Sequence, residues 1–269
     1  MKPAPFAYES PASVDEALAA LAGAGEEGKV LAGGQSLVPM LAFRLARPAV
    51  LVDVNGLEDE LGGIEIAGGQ VTIGAVARQR AVERAGLPLV SEALRLVGHP
   101  TIRNRGTVVG SICHADPAAE LAAVALVLDA TLEVRSRRGL REVPVEDLLL
   151  GPFTTSLEPD ELALRLRLRP PAGWRWKVLE VSRRAFDFAI AGVVAGVGPD
   201  GTTGRVGVFG AAPRCYRVDG PVDELPELAV RRAEPTSDIH AEAGYRRHLV
   251  GVLARRALGA LAGGGEVRA

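Results

Sequence analysis

The amino-acid sequence predicts an α+β protein built from two units. Short strands, a glycine-rich loop and helices alternate near the N-terminus, and strand pairs joined by tight turns follow. A Pro-Pro-Ala-Gly run at 170–173 then interrupts the pattern, and three apolar strands and a long helix come after it. These observations predict units at 1–170 and 171–269, the first divided into about 1–57 and 58–170.

The first unit opens with a helix that has recognisable start and stop signals. Ser13-Val14-Asp15-Glu16 is a capping box, and Gly23 or Gly25 is expected to end the helix. Strand, glycine loop, helix and strand follow in an order that is typical of a small α/β layer. The predicted elements after the first helix are a strand at 29–31, a helix at 37–45 and a strand at 49–54.

The rest of the first unit is predicted from turns and periodicity. Gly68-Gly69 separates two short strands as in a two-residue hairpin, and Asp116 followed by Pro117 is a strong helix start. Segment 162–169 alternates leucine with arginine, which indicates a strand with one solvated face. The predicted elements are strands at 63–67, 70–74, 131–136, 140–143 and 162–169 and helices at 76–85, 89–97 and 117–128.

The second unit is predicted to contain three strands and a final helix. The strands lie at 176–182, 188–197 and 205–209, and the middle strand is nearly all apolar. The helix at 239–261 carries one apolar stripe, and the glycine-rich tail from Gly263 is expected to fray. The stripe consists of Leu249, Val252, Leu253, Ala257 and Leu261.

Composition excludes several classes of function. The 31 basic and 33 acidic residues leave a net charge of -2, and aromatic residues make up 4%, which argues against a nucleic-acid partner. No run of about 18 apolar residues predicts a membrane span. A chain of this length with only two cysteines is typical of a cytoplasmic protein whose thiols are reduced. The N-terminal residues contain no apolar stretch that resembles a signal peptide. We therefore expect a cytoplasmic protein with neither a membrane span nor a nucleic-acid partner.

Familiar catalytic motifs are missing from the sequence. It has no Gly-x-Ser-x-Gly elbow, no His-Glu-x-x-His and no Walker loop. The four histidines lack the spacing of metal ligands, and two cysteines are too few for an iron–sulfur cluster of the chain's own. We therefore predict no catalytic acid–base residue and no metal site.

One glycine-rich loop lies between a predicted strand and a predicted helix. Glycines allow a ligand to approach the backbone, and successive N–H groups at a helix start attract an anion. In isolation the loop is better explained as a tight turn with a serine N-cap. The residues of this first glycine loop are Ala32, Gly33, Gly34, Gln35 and Ser36.

A second glycine loop, residues 101–117, combines arginines, hydroxyl groups and glycines before the predicted helix at 117–128. A pyrophosphate is bound by such a set of backbone N–H groups, hydroxyls and nearby positive charge. The alternative is a solvated surface loop with Arg103 and Arg105 in water. A loop of this length in a compact domain is more often functional than idle, which favours the pyrophosphate site.

Several stretches, in order and at the right separations, resemble one family. They are the first glycine loop, residues 103–111, residues 114–120 and the run Arg183-Arg184-Ala185-Phe186-Asp187-Phe188-Ala189. Together they resemble the FAD-binding medium subunits of molybdenum hydroxylases. That family includes the flavoprotein subunit of carbon monoxide dehydrogenase and the FAD domain of xanthine dehydrogenase. The resemblance covers nearly the whole chain.

The resemblance implies a two-subdomain FAD-binding domain of the PCMH type, similar to vanillyl-alcohol oxidase, followed by a smaller α+β C-terminal domain. FAD would lie between the subdomains, with its pyrophosphate held by both glycine loops. Glu120 stands where the family has an acidic residue that contacts FAD, and Asp187 would lie near the isoalloxazine at the domain junction. The implied cofactor-binding residues are Ala32, Gly33, Gly34, Gln35, Ser36, Arg103, Thr107, Val109, Gly110, Ser111, Asp116, Glu120 and Asp187.

The resemblance also implies a role in electron transfer. In such enzymes a large subunit with the molybdenum cofactor oxidises the substrate, and electrons pass through a small subunit with [2Fe-2S] clusters to FAD and then to an external acceptor. This chain would be the FAD-binding oxidoreductase subunit of such a complex, with two copies of each subunit. Its own task would be to bind and tune the flavin.

Two positions depart from the family pattern, and two alternative functions stay open, of which Val109 motivates only the loss of FAD. Val109 replaces a usual glycine, and a β-branched residue would be costly if that position needed a positive φ. Phe186 also stands where glycine is common. One alternative is a stand-alone flavin-dependent oxidase or dehydrogenase on the same scaffold, and the other is a scaffold subunit that has lost FAD.

Overall fold

A computed structural model describes residues 2–262, so the glycine-rich tail from residue 263 lies outside the described residues. The strands are β1 (Ala7–Glu9), β2 (Gly28–Leu31), β3 (Val50–Asp53), β4 (Ile64–Ala67), β5 (Gln70–Gly74), β6 (Thr131–Ser136), β7 (Gly139–Pro144), β8 (Leu149–Gly151), β9 (Thr154–Thr155), β10 (Leu162–Leu168), β11 (Arg175–Ser182), β12 (Ala189–Val197), β13 (Thr203–Phe209) and β14 (Tyr216–Pro221). The helices are α1 (Val14–Ala24), α2 (Leu37–Ala42), α3 (Glu58–Leu61), α4 (Gln79–Glu83), α5 (Pro88–Leu96), α6 (Pro100–Arg103), α7 (Val108–His114), α8 (Glu120–Val127), α9 (Val145–Leu148), α10 (Leu225–Arg232) and α11 (Ala243–Ala262), with a 3-10 turn at Gly25–Glu27.

The N-terminal layer is a parallel sheet in the order β1-β3-β2, covered by α1. The Ser13 hydroxyl accepts a hydrogen bond from the Glu16 N–H, and Gly25 ends the helix, so both predicted signals are confirmed. Leucines of α1 and valines of β3 share one buried core. Because parallel strands end at the same edge, the loop after β2 and the residues after β3 lie side by side.

The second sheet is antiparallel, in the order β4-β5-β10-β6-β7. The hairpin at Gly68-Gly69 is confirmed, and both glycines have positive φ as a tight two-residue turn requires. Leucines of β10 are buried, whereas Arg165 and Arg167 on its other face pair with Glu133. The alternating strand with one wet face is therefore confirmed.

The third sheet is an antiparallel meander, β11-β12-β13-β14. Every residue of β12 is buried, because α8 packs on one face of the sheet and α11 on the other. The predicted stripe of α11 is confirmed in part: Leu249, Leu253 and Ala257 are buried and the other two members are half-buried. β14 and α10 complete this unit and were not predicted from the sequence.

Helix α8 packs between the first unit and the third sheet. All eight of its residues are buried, because it contacts α5 and α7 on one side and the third sheet on the other. Gly207 of β13 lies directly against it: a methyl group there would be 2.8 Å from Val127 Cγ1 and 3.0 Å from the Ala123 carbonyl oxygen. Arg205 and Arg217 donate to carbonyls in the last turn of α8 and pair with Asp129. These contacts tie α8 to the third sheet.

Three sequence predictions about the middle of the chain need correction. The helix predicted at 76–85 is reduced to α4, and the polar stretch before residue 117 contains α6 and α7. Asp116 is not the N-cap of α8. Its carboxylate accepts from the Ala118 N–H in a local turn, and the Pro117 carbonyl accepts from the Gly210 N–H of the C-terminal part. That long-range contact draws residue 117 toward the third sheet and delays the start of α8 to Glu120.

Helices long and apolar enough to cross a bilayer do not occur among residues 2–262.

Candidate functional site

The first glycine loop leaves the carboxyl end of β2 and turns into α2. Gly34 has φ +72°, a conformation that favours glycine, and its carbonyl accepts from the Val38 N–H at 2.9 Å. Gln35 closes the turn through its side chain, which donates to the Gly33 carbonyl at 3.2 Å. Ser36 is exposed, and within the described chain its hydroxyl makes no capping bond to α2. The predicted serine N-cap is thus not formed, which leaves this hydroxyl available to a ligand.

The second glycine loop is ordered by the cap of α7. The Thr107 hydroxyl accepts from the Gly110 N–H at 3.1 Å, and a methyl group on Gly110 would lie 2.5 Å from that oxygen. Val109 lies inside α7 with helical geometry and its side chain is 2% exposed. Val109 does not have a positive φ: it is not among the five non-glycine residues with positive φ in the described part of the chain. The observation behind the loss-of-FAD alternative is therefore removed.

The two glycine loops touch through their backbones. A methyl group on Gly33 would lie 2.6 Å from the Arg105 carbonyl oxygen, 2.7 Å from Gly106 Cα and 2.9 Å from the Thr107 nitrogen. Only glycine permits this approach, because backbone atoms of the second loop would fill the space of any side chain. On its far side Gly106 rests on Gln79, whose N–H donates to the Gly106 carbonyl at 2.8 Å. The structure thus brings together two segments that are about seventy residues apart in the sequence.

Asn55 and Arg78, which sequence reasoning missed, connect the same two loops. The Asn55 amide donates to the Ala32 carbonyl at 2.8 Å and accepts from Arg78 Nη2 at 2.7 Å. Arg78 Nη1 donates in turn to the Arg105 carbonyl at 2.8 Å. The position of Asn55 just after a parallel strand could have marked it as a site residue. No local signal singles out Arg78.

Arg103 is not brought into contact with the first loop. Its side chain is buried, and its guanidinium pairs with Glu83 at 2.9 Å and donates to the Val97 and Gly98 carbonyls. Although burial opposes the shift, hydrogen bonds from Arg80 and Arg103 hold the pKa of Glu83 below its usual value. Because the N–H groups of its guanidinium are used in this internal network, Arg103 has a structural role: it links α4 to the turn before α6.

Glu120 lies at the first position of α8, 8% exposed. Burial raises the pKa of its carboxyl group to about 8, with smaller contributions from Glu180 and Asp116. Glu180 reaches the same space from β11, and burial raises its pKa to about 7. One oxygen of Glu180 is buried without a hydrogen-bond partner in the described chain. The structure therefore places two carboxyl groups that favour the neutral form at the junction of α8 and β11.

Asp187 belongs to an exposed turn between β11 and β12. Its N–H donates to the Arg184 carbonyl at 3.1 Å, and Phe186 in the same turn has φ +71°. The Phe186 ring lies 4.8 Å from the ring of His99, centroid to centroid. Phe186, the second departure from the family pattern, therefore contacts the residue that precedes α6. The turn that carries Asp187 is held against the first unit.

This arrangement fits a dinucleotide cofactor. Close-packed glycine backbones, an uncommitted serine hydroxyl and an ordered first turn of α7 provide N–H and O–H donors for a pyrophosphate. Two parallel strands end beside the first glycine loop, which is the usual place for a nucleotide in an α/β layer. The class of protein that this fold and site define is a dinucleotide-binding protein.

Comparisons with known proteins identify the family. Residues 4–170 match the FAD binding domain in molybdopterin dehydrogenase. The chain is 36% identical to the 6-hydroxypseudooxynicotine dehydrogenase complex subunit alpha of Paenarthrobacter nicotinovorans, over 96% of this chain and 95% of that one. It is 33% identical to the carbon monoxide dehydrogenase medium chain of Hydrogenophaga pseudoflava, over 97% and 98%. The solved carbon monoxide dehydrogenase from that organism superposes with a TM-score of 0.91 at 33% identity, covering 97% and 98%.

The chain therefore belongs to the family of FAD-binding domains of molybdopterin dehydrogenases. It is an FAD-binding oxidoreductase component with a role in electron transfer, as the resemblance implied. The predicted family, the α+β fold, the cofactor and the enzyme class are confirmed. Its relatives are subunits of larger complexes.

Proposed function

We propose that this chain is the flavin subunit of a three-part molybdenum enzyme and that its two glycine loops hold the FAD pyrophosphate. The close contact of Gly33 with the second loop is the observation that carries the proposal. When bound, FAD supplies redox chemistry that accepts electrons from one partner and delivers them to another. The residues of this chain bind and orient the cofactor.

Different residues take different parts in this proposal. In this proposal the backbone N–H groups of Gly33, Gly34 and Val109 bind the pyrophosphate, and Val109 serves through its backbone alone because its side chain is buried. The N–H of Gly110 is bonded to the Thr107 hydroxyl, so Gly110 shapes the loop. The hydroxyls of Ser36 and Ser111 add hydrogen-bond donors, and the Glu120 carboxyl group accepts hydrogen bonds from ribose hydroxyls. Asp187 stands toward the isoalloxazine on the exposed turn. We assign Arg103 and Asp116 to supporting the loop, because their polar atoms bond within the chain.

Partner subunits follow from the same proposal. The chain has two cysteines, Cys113 and Cys215, too few for a four-cysteine cluster of its own, which agrees with the proposal that it receives electrons from a small [2Fe-2S] subunit. A large subunit with the molybdenum cofactor performs the substrate chemistry, and we expect two copies of each subunit.

The proposal also includes the division of the chain and its location. Residues 1–170 hold the cofactor and 171–269 form the C-terminal unit. The two free thiols support a cytoplasmic location.

Gly33→Ala tests the proposed site. The added methyl group meets backbone atoms that cannot move aside without separating the loops, and we expect FAD affinity to fall by about tenfold to a hundredfold. Flavin absorbance after incubation with FAD and removal of free cofactor measures occupancy. Gly23→Ala is the matched control, because a methyl group there has nothing within 4 Å.

Two results would count against the proposal. If the wild-type chain retains no flavin, either alone or in its complex, the loops do not have the proposed function. Unchanged FAD affinity in Gly33→Ala would place the pyrophosphate elsewhere in the chain.

A further inference from the structure

A bridge of three hydrogen bonds runs from one glycine loop to the other. It starts at the Ala32 carbonyl, passes through the Asn55 amide and the Arg78 guanidinium, and ends at the Arg105 carbonyl, with distances of 2.8, 2.7 and 2.8 Å. Each link is a good hydrogen bond by length. Because both ends are main-chain carbonyls, the bridge acts on the backbones of the loops.

The Asn55 end of the bridge is fixed by its neighbours. Asp53 accepts from the Asn55 N–H at 2.8 Å and from its side-chain amide, and the Tyr8 hydroxyl donates to the other carboxylate oxygen of Asp53. Although burial opposes the shift, hydrogen bonds from Tyr8 and Asn55 hold the pKa of Asp53 below its usual value. The Asn55 nitrogen therefore faces Asp53 and Ala32, which leaves its oxygen for Arg78.

The Arg78 end is fixed by the backbone. Arg78 forms an isolated antiparallel bridge with Thr107, and the next residue, Gln79, donates to Gly106. The main chain of Arg78 thus lies beside the second glycine loop, and its side chain reaches across to Asn55. A planar guanidinium with several donors can bond two acceptors at once, which a lysine ammonium at the end of a flexible stem does poorly.

The bridge also brings positive charge to the point where the loops meet. Burial, together with the neighbouring Arg105 guanidinium, lowers the pKa of Arg78. Neither arginine forms a carboxylate ion pair within the described residues, although Asp53 and Glu58 offset part of the charge from farther away. Two adjacent cations without such partners favour a bound anion, and carbonyls already bonded to Asn55 and Arg78 repel a phosphate less than free ones.

We propose that Asn55 and Arg78 are positioning residues for FAD, which hold the two glycine loops at the spacing that its pyrophosphate requires. This inference rests on the proposed function, since it assumes that the loops bind that group. Arg78 takes the place beside the loops that the sequence suggested for Arg103.

Arg78→Lys in the full chain, stripped of flavin, tests the inference. We expect the dissociation constant for FAD to rise by about tenfold to a hundredfold, because one donor group cannot span both acceptors. Arg80→Lys is the matched control: it lies two residues along the same segment and pairs with Glu83. For this control we expect a change of less than about twofold. Flavin fluorescence during FAD titration gives the constants.

A second readout separates positioning from general damage. ADP carries the pyrophosphate and AMP does not, so Arg78→Lys is expected to weaken ADP binding and leave AMP binding nearly unchanged. Competition with FAD measures both. A purely structural role for Arg78 would weaken both nucleotides alike and would overturn the inference. Unfolding of each variant in urea reports its folded stability beside these values.

The partner residue gives an independent arm. Asn55→Ala removes the middle of the bridge, and the double variant Asn55→Ala/Arg78→Lys is expected to bind FAD about as weakly as either single variant. Should Arg78→Lys not fold, Asn55→Ala carries the same test. Additive losses in the double variant, or wild-type affinity in both single variants, would overturn the inference. Absence of FAD binding by the wild type is a different result, which removes the proposed function and with it this inference.

Discussion

At the scale of single residues, burial decides the protonation of Glu120. The resemblance implied an acidic residue that contacts FAD at this position, and burial at the junction of α8 and β11 raises the pKa of its carboxyl group to about 8. Near neutral pH a large share of Glu120 is then a neutral carboxylic acid, which donates one hydrogen bond and still accepts others. Burial also raises the pKa of the neighbouring Glu180, and the charge of Glu180 adds to the upward shift of Glu120.

The pH dependence of stability follows from this burial. Between the ordinary value near 4.5 and about 8, folded Glu120 keeps a proton that the unfolded chain releases. The free energy of unfolding therefore falls as pH rises through this range, by at most about 1.4 kcal/mol per pH unit for this group. We expect the free energy of unfolding of the Glu120→Gln variant to fall less steeply than that of the wild type from pH 5 to pH 8, as measured by urea unfolding of the FAD-free chain.

Glu65→Gln is the control for this prediction, because Glu65 is exposed on β4. Its pH profile is expected to follow that of the wild type. Parallel profiles for wild type and Glu120→Gln would mean that the buried carboxyl does not govern this part of the curve.

At the scale of elements, α7 depends on one hydroxyl group. The helix has seven residues, too few to be stable by its own hydrogen bonds, and the Thr107 cap satisfies a donor of its first turn. Gly110 leaves room for that cap, and Val109 packs into the core beneath it. The glycine that reads as a ligand-binding residue thus also shapes the helix that carries the site.

Replacement of Thr107 tests this role. Thr107→Val keeps the shape and removes the acceptor, and we expect the free energy of unfolding to fall by about 1–2 kcal/mol. FAD affinity is expected to fall with it, because the first turn of α7 frays. Thr107→Ser retains the hydroxyl and is expected to bind FAD nearly as the wild type does. Equal FAD affinity for the valine and serine variants, by flavin titration, would contradict the prediction.

At the scale of the whole molecule, α8 is the element that packs between the first unit and the third sheet. Its residues are buried on every side, and the third sheet approaches it at Gly207, where no side chain separates strand from helix. Arginines of β13 and β14 bond the carbonyls that end α8. Because α8 packs between the helices of the first unit and the third sheet, a disturbance on the Gly207 face acts on the contact between them.

Gly207→Ala is expected to destabilise the protein by about 1–3 kcal/mol, since the methyl group overpacks against Val127 and the Ala123 carbonyl. Thermal or urea unfolding measures the change. Gly244→Ala is the control, because it lies at the exposed start of α11 with nothing within 4 Å of the new methyl group. A Gly207→Ala variant as stable as the wild type would show that the sheet and α8 can move apart at little cost.

Much of the fold was predictable from local signals. The capping box of α1, the Gly68-Gly69 hairpin and the alternating strand β10 rest on contacts within a few residues, and each is confirmed. Other elements were missed for a related reason. β14 and α10 are stabilised mainly by packing against β13 and α11, so their own sequences carry weaker signals.

The candidate site divides in the same way. Glycine, serine and threonine in two loops, with several motifs in order, were enough to indicate the family, because the residue types that let a backbone approach a phosphate are few. Arg103 was also expected to bind the cofactor, but its guanidinium pairs with the buried carboxylate of Glu83. Arg78 looked unremarkable, although it bridges both loops.

The sequence by itself determined the local elements, the two glycine loops and the family to which the chain belongs. The tertiary structure decided which side chains serve the site: it placed Gly33 on the backbone of the second loop, turned Arg78 rather than Arg103 toward it and buried Glu120. The physical reason is range. Caps and turns depend on neighbours along the chain, whereas the partners of a charge and its distance from water depend on residues that only folding brings near.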